Sequence, residues 1–197
     1  MLELFHKGGP IMWPLLALSI VTLTMVLERF LFIARERARR NADAVDAMLT
    51  QVERGDPDAA ANMGTGSRDF VARALAYALT HRTRSFSEAM LRAANWELKR
   101  FNRGLTILDT TITLAPLLGL LGTVTGMIRS FGMLGGADIG APSAITGGIA
   151  EALIATAFGL GIAITALLPF NYLNARLEEA RLEMQDAASH AEIHLKR

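Results

Sequence analysis

Glu151 is the side chain in this sequence that is best placed to do chemistry, because it opens an otherwise uncharged run. From Ala152 to Ala175 there are 24 residues without a charge. At roughly 1.5 Å per residue, such a run makes about 36 Å of helix, enough to cross a hydrocarbon core of ~30 Å. A carboxylate in or near a bilayer is costly and usually faces protein, water or a partner. Glu151 is therefore expected either to line a hydrated path or to act as a hydrogen-bonded structural group.

Hydroxyl side chains accompany this acid in the second and third apolar segments. They are Thr110, Thr111, Thr113, Thr123, Thr125, Thr146, Thr156 and Thr165. One threonine in a membrane helix can donate to its own i−4 carbonyl and then indicates little. Eight of them in two segments favour a polar surface shared by those segments. The first apolar segment is rich in Leu, Ile and Val, as a lipid-facing helix should be, so we expect it on the outside.

Small residues in the same two segments predict close packing of helix backbones. The candidates are Gly119, Gly122, Gly126 and Gly159, and the second and third of these form a G-x-x-x-G pattern. Small residues at this spacing let membrane helices approach closely, within one chain or between copies. Pro116 lies inside the second segment and is expected to kink it or to mark a local irregularity.

Three apolar segments of membrane length organise the chain, so the expected fold class is an all-α membrane protein with long cytoplasmic helical extensions. The first run is longer than the apolar core of a signal peptide, and no cleavage pattern precedes the arginines that follow it, so we expect a retained anchor. The expected divisions are an outer N-terminal segment at 1–10, a first membrane helix at 11–33, a cytoplasmic helical region at 34–104, a second membrane helix at 105–131, a short outer loop at 132–143, a third membrane helix at 144–175 and a cytoplasmic C-terminal helix at 176–197.

The orientation in the membrane is predicted by the basic residues. A cluster of four arginines directly follows the first apolar segment, namely Arg35, Arg37, Arg39 and Arg40. By the positive-inside rule this end is cytoplasmic and the N-terminus faces outward. The loop at 132–143 contains no Lys or Arg, which agrees with an outer position. The arginines are expected to set topology, with anionic lipid headgroups as a secondary partner.

The region at 34–103 carries 13 Lys+Arg and 9 Asp+Glu and is expected to be soluble and mostly helical. The first helix is expected to continue to the helix breaker at 55–58, Gly-Asp-Pro-Asp. A second break is expected at 64–67, Gly-Thr-Gly-Ser, and Ser67 is expected to cap the helix at 68–80 that follows it. Ser85 with Glu88 three residues later is a capping-box pattern that predicts a helix start. That last helix shows no obvious stop before the second apolar segment.

Composition and motifs argue against several classes of function. The chain has no cysteine, a net charge of +1 and only 7% aromatic residues, so we expect no thiolate site and no nucleic-acid partner. Its four histidines are scattered, and we expect no metal site and no cofactor. The sequence has no nucleophile elbow, P-loop or dinucleotide fingerprint, so enzymatic chemistry is not expected.

Two stretches of the sequence resemble a known family. The stretch Leu114–Val124, LAPLLGLLGTV, followed by Ile149–Ala157, IAEALIATA, closely resembles the signature pair of the MotA/TolQ/ExbB proton-channel family. The resemblance includes the spacing between the two stretches, the opening Gly-Gly-Pro at 8–10 and the three-span topology. The flagellar stator branch has one more membrane helix and a larger cytoplasmic region. The chain therefore resembles the ExbB/TolQ branch.

The resemblance implies a function and an assembly. It implies a homo-pentamer in the bacterial inner membrane whose second and third helices line a central pore, occupied by an ExbD/TolR-type single-span partner, with a TonB/TolA-type protein as a further partner. In the family, an aspartate of the partner carries the proton, and Thr123, Glu151 and Thr156 match the channel residues around it. On an ideal helix, the last two residues lie about 140° apart, so Glu151 faces either the pore or a neighbouring subunit.

Several functions remain open at this point. The leading one is the channel or stator subunit of a proton-driven motor that serves TonB-dependent import or a Tol-type system. A structural membrane scaffold without ion conduction and a TolQ-type role in cell-envelope integrity are the alternatives. A solute transporter is disfavoured because the sequence shows no inverted repeat and no pair of broken helices.

Overall fold

The computed structural model describes residues 2–134 and 142–195, and within these ranges it is all-helical. The helices are α1 (Leu2–Lys7), α2 (Met12–Arg39), α3 (Ala42–Glu53), α4 (Pro57–Gly64), α5 (Phe70–Thr80), α6 (Arg82–Asn102), α7 (Leu105–Leu134) and α8 (Pro142–Leu195). The expected all-α class is confirmed for the described residues. Most of the expected outer loop, residues 135–141, lies outside them.

Three helices in the described part of the chain are long and apolar enough to cross a membrane. The candidate spans are Met12–Arg39, Leu105–Gly132 and Thr146–Leu195. The chain divides into two compact units, which we call the apolar unit (Met1–Glu28 with Gly104–Asn171) and the charged unit (Arg29–Arg103 with Tyr172–Arg197).

The apolar unit buries small side chains and exposes large ones. Ala115, Ala152 and Ala155 are buried, whereas Leu153 and Leu168 are more than half exposed. A water-soluble protein would bury its leucines, because burying each of them is worth about 1.5–3 kcal/mol. Lipid tails are as apolar as leucine, so the inverse arrangement is stable in a bilayer, where close backbone packing drives association.

A hydroxyl pair joins α2 to α7 inside this unit. Thr22 Oγ1 lies 3.2 Å from Thr111 Oγ1, and both side chains are buried. The Thr111 hydroxyl is also 2.9 Å from the carbonyl of Ile107 in its own helix, so its polar atom is satisfied twice. Thus α2 is fixed against α7 by a polar contact as well as by packing.

The end of α2 differs from what the sequence led us to expect. The first helix ends at Arg39 and does not continue to the breaker at 55–58. The buried carboxylate of Asp69 stops it, because Asp69 Oδ2 accepts a hydrogen bond from the backbone N–H of Asn41 at 2.6 Å. The side chain of Asn41 then caps α3 by accepting from the N–H of Ala44 at 3.1 Å.

The cap of α5 is also different from the expected one. Asp69, not Ser67, is the N-cap: its Oδ1 accepts from the N–H groups of Val71 at 2.8 Å and Ala72 at 3.0 Å. The Ser67 hydroxyl instead accepts from the N–H of Asp69 at 3.1 Å. The serine therefore supports the capping residue and does not cap the helix itself.

The helix start predicted at Ser85 is confirmed. Ser85 has extended backbone angles within α6, and its hydroxyl accepts from the N–H of Glu88 at 3.2 Å. The expectation of an uninterrupted run into the second span is wrong. Helix α6 ends at Asn102, and Gly104 has a φ of +83°, a left-handed value that glycine adopts without strain.

Helix α8 is a single helix of 54 residues with a buried stripe at heptad spacing. Positions at intervals of seven are buried along it, namely Ala152, Gly159, Ala166, Leu173, Ala180 and Ala187. A repeat of this period keeps one seam of a long helix turned towards its neighbours. Within each unit, this seam can hold the residues of α8 in register against the helices of the same unit.

Candidate functional site

Helices α7 and α8 approach most closely at Gly119 and Gly159. A Cβ atom on Gly119 would lie 3.0 Å from the Cα of Thr156, and one on Gly159 would lie 2.5 Å from the carbonyl oxygen of Ala115. The first distance is tight, and the second is shorter than real Cβ contacts allow. Any larger residue at Gly159 would push the two backbones apart, so this contact sets the spacing of the pair.

The G-x-x-x-G pair continues the same contact towards the other end of the helices. A Cβ on Gly122 would lie 2.5 Å from the Cβ of Ala155, and one on Gly126 would lie 3.0 Å from the Cβ of Ala152. Both glycines are buried. The four predicted packing glycines therefore all lie on the α7 and α8 surfaces that meet. Pro116 lies in the same stretch, and α7 continues through it from Leu105 to Leu134.

The two predicted pathway threonines bond to the backbone of α7. The Thr156 hydroxyl donates across the helix pair to the carbonyl of Gly119 at 3.0 Å. The Thr123 hydroxyl donates within its own helix to the carbonyl of Leu120 at 2.7 Å. Each hydroxyl oxygen keeps lone pairs that can accept a further hydrogen bond. Thr156 thus links α8 to α7 and can also accept a further hydrogen bond.

Glu151 has an ionic partner that the sequence analysis did not identify. The Oε1 atom of Glu151 lies 3.2 Å from Nη1 of Arg129 on α7. The glutamate side chain is 27% exposed and the arginine side chain 51%. A signal was available in the sequence: an acid near the start of one span and a base near the end of the preceding span lie at the same depth when the two helices are antiparallel.

The turn between α1 and α2 lies directly on this carboxylate. Gly9 has a φ of +72°, and a Cβ on it would overlap Glu151 Oε1 and lie 2.7 Å from the carboxyl carbon. A Cβ on Gly8 would lie 3.1 Å from Ile154 on the next turn of α8. From sequence alone, two glycines before a helix are explained simply as a helix breaker. In the structure they also allow the backbone to approach Glu151.

The three predicted pathway residues therefore lie in two different contacts. Glu151 is paired with Arg129 and lies against Gly9, and Thr156 is bonded to the carbonyl of Gly119. The separation agrees with the roughly 140° between Glu151 and Thr156 on an ideal helix. Chemically, the first contact offers a carboxylate that can exchange a proton beside a fixed positive charge, and the second offers a hydroxyl.

One of the four basic residues predicted to contact lipid has a structural role in the charged unit. Arg40 donates to Asp69 at 2.5 Å and to Glu183 at 2.7 Å. Burial works to lower the pKa of Arg40, but the hydrogen bonds and charges of Asp69 and Glu183 outweigh it and raise the pKa above its ordinary value. Arg35, Arg37 and Arg39 are exposed, and the prediction of lipid contact is kept for them.

The comparison with protein families identifies the family of the chain. The MotA/TolQ/ExbB proton channel family matches residues 62–186. This range includes all of α5, α6 and α7 and the site on α8. The chain belongs to this family.

Comparison with individual relatives shows to which branch of the family the chain belongs. A putative biopolymer transport protein ExbB-like 1 of Synechocystis is 42% identical over 88% of this chain and 70% of the relative. The biopolymer transport protein ExbB of Neisseria meningitidis is 28% identical over 98% of this chain and 94% of the relative. A Tol-Pal system protein TolQ of Haemophilus influenzae is 40% identical over 45% of this chain and 39% of the relative. The chain thus belongs to the ExbB/TolQ branch, as its motifs indicated.

Family membership and the three apolar helices together make the chain a multi-pass membrane protein. The family is a group of proton channel and transport components with a role in membrane energy transduction, and it is not a known enzyme family.

Proposed function

We propose that the chain is the channel subunit of an inner-membrane motor that couples inward proton flow to work on an ExbD/TolR-type partner. The observation that carries the proposal is the half-buried ion pair of Glu151 and Arg129, set on the closely packed α7–α8 pair of a proton channel family member. Ionisable groups within membrane segments are costly and mark ion pathways by default.

The proposed pathway uses Glu151, Thr123 and Thr156. Glu151 accepts a proton from the outer side, and the two hydroxyls provide hydrogen-bond partners further along. Protonation neutralises the carboxylate and removes the attraction that holds Arg129 at 3.2 Å. Each protonation event therefore loosens the outer contact between α7 and α8, and deprotonation restores it. This exchange links proton passage to a change in helix packing.

An oligomer and a partner complete the proposal. We propose a ring of copies, five by family resemblance, with α7 and α8 facing the pore and α2 facing lipid. The sequence between the second and third spans is short, so reach across the envelope is assigned to the partner. A proton crossing 100 mV releases about 2.3 kcal/mol, so large mechanical work needs several protons. In this arrangement the N-terminus faces outward and the C-terminus is cytoplasmic.

The test is proton flux into vesicles that contain the chain together with its single-span partner. Glu151→Gln removes the titratable group and keeps the side-chain shape. Glu178→Gln is the matched control, because Glu178 is an exposed acid on the same helix, 3.5 Å from Arg181. We expect flux to be lost in the first variant and kept in the second, with the same oligomer mass in both.

Two other results would change the proposal. Flux of Glu151→Gln equal to that of the unsubstituted protein would contradict a role for this carboxylate in the pathway. Failure of the variant to assemble would favour the scaffold alternative, in which Glu151 holds neighbouring helices together, as its contact with Arg129 does within the chain. The partner that co-purifies with the chain distinguishes an import system from a Tol-type system.

A further inference from the structure

A carboxylate and two imidazoles converge in the charged unit, away from the proposed proton pathway. They belong to Glu53 at the end of α3 and to His190 and His194 near the end of α8. One potential ligand atom from each side chain lies within 4.8 Å of the other two. We propose that these three residues form a binding site for a divalent transition metal, with Zn²⁺ as the best-fitting ion. This proposal is independent of the proposed function.

The two histidines are arranged as metal ligands on a helix usually are. They are four residues apart and share one face of α8, with ring centroids 5.2 Å apart. Nδ1 of His194 lies 3.0 Å from the carbonyl oxygen of His190. That contact favours the tautomer with the proton on Nδ1, which leaves the lone pair of Nε2 free for a metal. A backbone carbonyl that fixes the tautomer in this way is the usual support of a metal-binding histidine.

The carboxylate of Glu53, the third ligand, is already in contact with the imidazole of His190. Glu53 Oε1 lies 2.6 Å from Nε2 of His190. With Zn–N and Zn–O bonds of about 2.0–2.1 Å, donor atoms in a tetrahedral site lie roughly 3.3 Å apart. When a metal binds, the contact between Glu53 Oε1 and His190 Nε2 must therefore lengthen slightly. Ligand atoms that lie farther apart than this tetrahedral spacing must move closer together. Both side chains are more than 40% exposed, so rotation about their own bonds is sufficient.

The donor set selects the class of metal. Two neutral imidazole nitrogens and one carboxylate oxygen suit Zn²⁺ and its neighbours in the first transition row, and they suit Ca²⁺ or Mg²⁺ poorly. The partly exposed position leaves the fourth coordination position to water. On binding, the metal takes the place of the hydrogen in the contact between His190 and Glu53, and that proton is released to solvent.

The expected consequence is a cross-link within the charged unit. Glu53 and His190 are 137 residues apart in sequence, and without a metal a single hydrogen bond between exposed side chains joins them. A bound ion would tie the end of α3 to the last turns of α8. No metal site is expected from the sequence, because spacing along the chain does not show that Glu53 faces this pair of histidines.

The experiment titrates Zn²⁺ into the full chain in detergent, purified without a polyhistidine tag, and follows binding by calorimetry. Co²⁺ is the second probe, because its visible spectrum reports a tetrahedral site of N and O ligands. The test variants are His190→Gln with His194→Gln, and Glu53→Gln alone. His81→Gln is the matched control, because the Nδ1 atom of His81 also contacts an i−4 carbonyl.

We expect one Zn²⁺ per chain, and a thermal midpoint that rises on the order of 5 °C at 100-fold excess over the Kd. The double histidine variant should bind at least about tenfold more weakly and lose the Co²⁺ spectrum, with unchanged helix content by circular dichroism. The glutamate variant should be weakened as well, and the His81 variant should match the unsubstituted chain. Equal affinity in the double variant, or no binding at about 1 mM Zn²⁺, would overturn the proposal.

Discussion

Replacing Gly9 by alanine tests whether the turn before α2 is built around Glu151. The backbone of Gly9 has a φ of +72°, and the added methyl group would overlap the Glu151 carboxylate. Gly66 has a φ of +80° and no atom within 4 Å of the same position. The two glycines therefore share one backbone conformation and differ in what their side-chain positions meet.

The expected magnitudes follow from that difference. An L-residue in the left-handed region costs roughly 1–2 kcal/mol, and this term applies to both Gly9→Ala and Gly66→Ala. The carboxylate is the far end of a flexible side chain, so at Gly9 it moves away and loses its contact with Arg129. A partly exposed ion pair is worth about 1 kcal/mol. We therefore expect Gly9→Ala to lower the free energy of unfolding by about 2–3 kcal/mol and Gly66→Ala by about 1–2 kcal/mol.

The assay is unfolding of the detergent-solubilised chain, followed by circular dichroism, in a double-mutant cycle with Glu151→Ala. Truncating Glu151 removes the atoms that the new methyl group would meet. In that background, the cost of Gly9→Ala should fall to that of Gly66→Ala. If the cost of Gly9→Ala is the same with and without the Glu151 carboxylate, the turn does not contact that group.

Three further predictions concern packing and charge. Asp69→Ala should cost about 2–4 kcal/mol in thermal unfolding, because it uncaps α5, leaves the N–H of Asn41 without its acceptor and removes one of the two carboxylates that Arg40 contacts; a cost below about 1 kcal/mol would argue against this role. Gly159→Ala should destabilise the helix pair by about 1–3 kcal/mol, whereas Gly161→Ala, with open space around it, should gain up to ~1 kcal/mol; equal unfolding midpoints would contradict the packing account. The hydrogen bond from Arg82 lowers the pKa of Asp58 below its ordinary 3.8, so this pair stabilises the chain above that pH, and the contribution is lost as the pH falls through the folded pKa. Removing Arg82 should therefore flatten the acid limb of a pH–stability curve, and an unchanged limb would speak against the pair.

Local patterns were sufficient to predict much of the fold. The 24 uncharged residues after Glu151 and the capping pattern at Ser85 depend only on neighbours in sequence. The break after Arg39 was missed because it depends on Asp69, which lies 28 residues from the N–H of Asn41 that it binds. No local signal shows that a buried carboxylate will reach that point.

The difference between local signals and contacts between distant residues applies to the candidate site as well. Glu151 was found because a single acid at the edge of a long apolar run is costly and therefore informative. Its partner Arg129 was missed because their contact requires α7 and α8 to be antiparallel and in the observed register. The approach of Gly9 was missed for a similar reason, since a glycine pair before a helix has a local explanation as a breaker. Contacts between helices were the information that the sequence pattern lacked.

The proposed function requires α7 and α8, with Glu151 between them, to wall a water-filled path in the assembled protein. The chain has no native cysteine, so single cysteines at Thr123, Glu151 and Thr156 can be labelled in membranes with a charged thiol reagent that reacts only with hydrated thiolates. Leu23, an exposed residue of α2, is the lipid-facing control. We expect labelling of the three cysteines on α7 and α8 and none at Leu23→Cys. Labelling of Leu23→Cys with protection of the other three would contradict the proposed function.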